Sequence, residues 1–152
     1  MINGLALALH VSAAVVWVGG MFFAHQALRP AALNLEPPVR LTLWRDTFAR
    51  FFPWVWLSVT VLPVTGLWLL FRVFGGFATA PWYAHVMLLL GTAMIVIFLH
   101  VFFAPYRRLR TFTAEKQFPQ AAEQLAKIRR LVGINIILGV LTVAVATIGR
   151  MA

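Results

Sequence analysis

The sequence predicts an all-α integral membrane protein, a four-helix bundle with both termini on the outer side of the membrane. Three observations carry that expectation. Of 152 residues, 62% are hydrophobic and only 11% are charged, against about 25% charged residues in a soluble domain. Four segments, roughly 4–28, 54–71, 82–104 and 131–149, contain no Asp, Glu, Lys or Arg. Each approaches the length of about 20 apolar residues that crosses a hydrocarbon core of about 30 Å. The basic residues, finally, gather between alternate segments.

The first segment is too long for the apolar region of a signal peptide and has no basic residues before it, so it reads as a retained span. The second is the shortest, and Phe51 and Phe52 extend it. The first connection holds Arg29, Arg40, Arg45 and Arg50; the third holds Arg107, Arg108, Arg110, Lys116, Lys127, Arg129 and Arg130. Only Arg72 and Arg150 remain for the other side. The positive-inside rule then puts connections one and three in the cytoplasm and both termini outside. The formal charge of +9 thus reports topology and contact with anionic lipid, and nucleic-acid binding is not expected.

Within the first connection, Leu41, Trp44, Phe48 and Phe51 recur at helical spacing. This fits either an amphipathic helix lying on the membrane surface or a cytoplasmic extension of the second span. Pro53 marks where the second span begins and Pro63 is expected to kink it. Pro105 is expected to end the third span. The stretch PQAAEQLAKIRR is rich in helix formers, so the fourth helix should start near Pro119 and run unbroken into the membrane. Trp82 and Tyr83 suit an interfacial anchor. The whole chain, 1–152, reads as one domain.

Cysteine is absent, which removes disulfides, thiolate zinc and iron–sulfur clusters. No phosphate loop, paired carboxylates or nucleophile–base set appears, so catalysis at a soluble site is not supported. The chemistry-bearing residues are four histidines, the whole complement of the chain. They bracket two matching segments, HVSAAVVWVGGMFFAH from His10 to His25 and HVMLLLGTAMIVIFLH from His85 to His100. Pro30 and Pro105 follow each closing histidine at the same spacing. Ionisable side chains inside a span are costly and mark function by default. Fifteen residues of helix rise about 22 Å and return within about 60° of the starting direction. Both histidines of a helix should then look toward one neighbour. If helices one and three face each other, His10 meets His85 and His25 meets His100.

Two stacked imidazole pairs in an apolar bundle suit two b-type haems, with neutral imidazole as axial ligand. Haem propionates would find Arg72 and Arg150 outside, and Arg29, Arg50, Arg107, Arg129 and Arg130 inside. The face between the histidines carries Ala14, Trp17 and Met21 on helix one, and Leu89, Thr92 and Val96 on helix three. Trp17 would stand between the two haems. Gly19, Gly20 and Gly91 point away and should permit close helix contact. Asn135 should hydrogen-bond across helices. Copper is the alternative: Met21, His25 and His100 would make a Cu(I) site from thioether and imidazole, leaving His10 and His85 to another explanation. A proton relay would call for Asp or Glu in the spans, and there is none.

On the motif His-x6-Trp-x-Gly-Gly at His10, and the Trp82-to-His85 start of helix three, the sequence resembles the copper-resistance protein D family of bacterial membrane proteins. That resemblance implies copper uptake or tolerance and a place in the inner membrane. The layout is also similar to the small haem-associated protoporphyrinogen IX oxidase family. Where that family has a Pro-Arg pair this chain has His25-Gln26, and Met87 stands in place of a lysine. The basic residues that would meet an acidic tetrapyrrole are therefore missing. The added His25 instead completes a second ligand pair, as in two-haem cytochromes b. The expectation drawn from all this is electron transfer in the membrane, with a quinone, another redox protein or a second copy as partner. Copper transport and porphyrin oxidation are the alternatives.

Overall fold

In a bilayer the backbone has no water to bond, so apolar segments satisfy their N–H and C=O groups within helices. The computed structural model describes residues 1–152 and contains four such helices: α1 Ile2–Ala32, α2 Pro37–Val73, α3 Trp82–Ala114 and α4 Phe118–Met151. Each is long and apolar enough to cross a membrane, and the protein is an integral membrane four-helix bundle. α1 packs chiefly on α2 and α3 on α4, with α1 beside α4 and α2 beside α3 closing the ring. α1 and α3 therefore lie diagonally opposed. They meet through Trp17 and Phe98, whose rings are 6.3 Å apart, edge to face.

The helices overrun the predicted spans at the arginine-rich end. α2 has 37 residues, a length of about 55 Å, so a large part of it stands outside the hydrocarbon. Of the two readings left open for residues 37–52, the structure takes the extension: one unbroken helix runs from Pro37 to Val73. The reason is packing. Leu41, Trp44, Phe48 and Phe52 join Tyr106, Leu109, Ala121 and Ile128 in one buried cluster, so the apolar face of this stretch meets protein rather than lipid. α4 begins at Phe118, one residue before Pro119, and runs unbroken to Met151.

α3 does not end at Pro105, contrary to the sequence expectation. It passes through that residue as a π-helical turn, Phe102–Tyr106, and continues to Ala114. α1 contains a matching π turn at Ala24–Leu28, just before Pro30. Proline lacks an N–H, and its ring crowds the carbonyl four residues back. Widening the turn moves that carbonyl aside and lets the helix go on.

Two tight turns reverse the chain. Gly75 and Gly76 take φ of 80° and 120° between α2 and α3, where a side chain would be strained. Between α3 and α4, Lys116 adopts φ 57°. The Gln117 N–H reaches the Phe112 carbonyl at 2.8 Å and the Lys116 N–H reaches the Thr113 carbonyl at 3.2 Å. This closes α3 with a Schellman-type cap.

Inside the bundle, Val18 and Met94 pack on Gly139, where an added Cβ would lie 2.8 Å from Val18 and 3.3 Å from Met94. Asn135 donates its Nδ2 to the Met94 carbonyl at 3.2 Å, the expected bond between helices. Gly20 lies under the ring of Phe51, while nothing approaches Gly19 or Gly91. Close helix contact is thus made at Gly20 and Gly139 rather than at the other two.

Candidate functional site

The histidine face of α1 looks into the bundle. Trp17 and Met21 are buried, and His10 and His25 are half-buried. His10 turns to α2, where its Nδ1 lies 2.8 Å from the hydroxyl oxygen of Thr65. The Thr65 hydroxyl also lies 2.6 Å from the Val61 carbonyl; when its proton goes there, the oxygen accepts from Nδ1–H. In that arrangement a neutral ring carries its free lone pair on Nε2. Beside it is Gly66; a Cβ there would come within 3.1 Å of His10 Cε1. Small size at residue 66 is what lets the ring sit against α2.

His25 turns elsewhere. Its Nε2 is 3.3 Å from where a Cβ on Gly133 of α4 would stand, and Gln26 donates its Nε2 to His25 Nδ1 at 3.4 Å. Fifteen residues of helix already leave an angular offset of about 60°, and the π turn at Ala24–Leu28 alters the winding where His25 sits. So the two histidines of α1 face two different neighbours. Met21, one turn before His25, remains in the core.

The histidine face of α3 looks out. His85, Leu89, Thr92, Val96 and His100 are all exposed on one stripe, with Leu89 at 70% and Val96 at 59%. The face that enters the core is Met94, Phe98 and Val101. Nine residues separate His85 from Met94, a rotation of about 180°. The ring of His85 lies 6.5 Å from that of Phe77.

The structure therefore does not bring His10 to His85, or His25 to His100. Axial haem ligation needs two imidazoles converging on one iron from opposite sides. Here the space between α1 and α3 holds Trp17, Met21, Met94 and Phe98, all buried. The residues present do not fit two haems inside one bundle. Nor does the Cu(I) triad assemble: Met21 and His25 share a turn of α1, but His100 is on the outer face of α3. No group of three or more His, Cys, Asp or Glu side chains converges anywhere in the chain. Of the two arginines at the end of the bundle with few basic residues, Arg72 lies over the Trp68 ring at 5.0 Å and Arg150 is exposed near the C-terminus.

Thr65 and Gly66 are the residues that the sequence did not single out. Thr65 sits 55 positions from His10, and a threonine in a span normally bonds back along its own helix. Nothing local distinguishes one that also receives an imidazole N–H.

A family model described as copper resistance protein D matches residues 45–148, about two-thirds of the chain. No curated protein and no solved structure matches it.

Proposed function

We propose that this chain, which belongs to the copper resistance protein D family, serves copper tolerance in the inner membrane by binding Cu(I) on α1. The observation that supports the reading is the contact of His10 with Thr65. With the His10 Nδ1 proton given to Thr65, 2.8 Å away, Nε2 is left as a neutral donor. Such an outer partner fixes tautomer and ring orientation in metal-ligating histidines. Imidazole and thioether both hold Cu(I), so Met21 and His25 form a second donor pair one turn apart toward the arginine-rich end. Neither place is a closed cage. Each offers one or two ligands to an ion that keeps others from whatever delivers it, which suits a cargo that must leave again.

The matched spacing of the histidine pairs supports a second reading, a two-haem b-type cytochrome in which His85 and His100 pair with ligands of a neighbouring copy. One preparation tests both. The protein is purified after expression with copper and haem in supply, then assayed for copper under reducing conditions and scanned for absorption. Stoichiometric copper that falls in His10→Ala and His25→Ala, with no Soret band, is the expected result. A copper-free protein with a Soret band overturns it in favour of haem.

A further inference from the structure

α2 and α3 scarcely touch through their backbones; aromatic side chains hold them apart. Trp56 lies 5.3 Å from Phe98 and 5.2 Å from Phe102, and Phe52 lies 4.7 Å from Tyr106, ring to ring. Where the spans leave the membrane, this spacing opens a cleft of about 950 Å³, within the size range of ligand sites. Its wall is apolar, made by Phe52, Trp56 and Phe102. Its rim is cationic. Arg45 is bound to Asp46 at 2.9 Å, whereas Arg107 and Arg110 have no carboxylate partner. Arg110 stands over the Tyr106 ring at 5.7 Å, which fixes the guanidinium while leaving its N–H groups free.

We propose that this cleft between α2 and α3 binds an anionic phospholipid, its phosphate on Arg107 and Arg110 and its acyl chain along Phe52, Trp56 and Phe102. The order of the groups argues for lipid. The cations mark the level of the headgroups, and the aromatic wall continues from them into the hydrocarbon. Guanidinium groups suit phosphate oxygens. The proposal does not depend on copper or haem.

The test uses the whole protein in nanodiscs of phosphatidylcholine, with and without phosphatidylglycerol, followed by native mass spectrometry of the released complex. The wild type is expected to retain phosphatidylglycerol over phosphatidylcholine. Arg107→Gln/Arg110→Gln should weaken that preference on the order of 10- to 30-fold, from the usual effect of two surface cations. Lys127→Gln/Arg130→Gln removes the same charge from α4 and should leave it intact. Ala49→Leu fills the cleft without changing charge and should also displace the lipid, which keeps the test sound if the arginine variant folds poorly. Equal loss in both charge variants, or no lipid preference in the wild type, overturns the site. So does full displacement by inorganic phosphate, which would make it a site for the free anion.

Discussion

Thr65 decides which nitrogen of His10 is available. With its own proton on the Val61 carbonyl, the hydroxyl can only accept from the ring. Thr65→Val keeps the shape and removes the acceptor, and should lower Cu(I) affinity at His10 by about 10- to 100-fold. Thr65→Ser should keep most of it; chelator competition reads both. At Gly139 the issue is volume. Gly139→Leu would drive a side chain into Val18 and Met94, at a cost of about 1–3 kcal/mol, measured by denaturation in mixed detergent. Single residues were unevenly legible beforehand. The four histidines and Asn135 stand out as polar groups in apolar runs. Thr65 and Gly66 do not, because what matters at each is a neighbour on another helix.

At the scale of the element, α1 and α3 carry the same motif and present it to opposite surroundings. The sequence could not foresee this. α1 puts one aromatic, Trp17, on its histidine line, and that side is buried. α3 is apolar all round, so hydropathy does not say which side enters the core. Its inward side was chosen by Met94 and Phe98 meeting α4 and α2. The extension of α2 was half legible: the helical spacing of Leu41, Trp44 and Phe48 was plain, but not whether lipid or protein would cover it. Pro105 misled because a proline reads as a stop, whereas here a wide turn absorbs it. Pro105→Ala should let that turn relax to α geometry and rotate residues 107–114 by about 100°. Spin labels on Ala49→Cys and Ala114→Cys, in a chain otherwise free of cysteine, should report a changed distance. At the α3–α4 turn, Lys116 bears a left-handed backbone. Lys116→Gly should stabilise the protein by up to about 1 kcal/mol, since relief of the Cβ clash exceeds the entropy cost of glycine.

For the whole molecule, the number of spans and their pairing were legible because charge-free segments and short connections leave few alternatives. The ring order, which puts α1 and α3 on a diagonal, was not, and the face-to-face pairing of their histidines depended on it. Applied to the basic ends of the helices, the positive-inside rule predicts that the termini lie outside. An impermeant thiol reagent on intact cells should therefore label Ala152→Cys and spare Glu115→Cys; the reverse pattern would invert the topology.

The π turn at Phe102–Tyr106 begins two residues beyond His100. A wide turn is a slip joint: it moves along a helix by exchanging one backbone bond for another, so the count of bonds is unchanged at each step. Moved to the other side of His100, it would set that histidine back by one place in the helical wheel, about 100°, into the direction now held by half-buried Leu99. Arg107 and Arg110 lie beyond both positions of the joint and keep their place on the helix. Imidazole exposure in the membrane is thus adjustable through five residues of α3, while the guanidinium groups at its surface stay where they are.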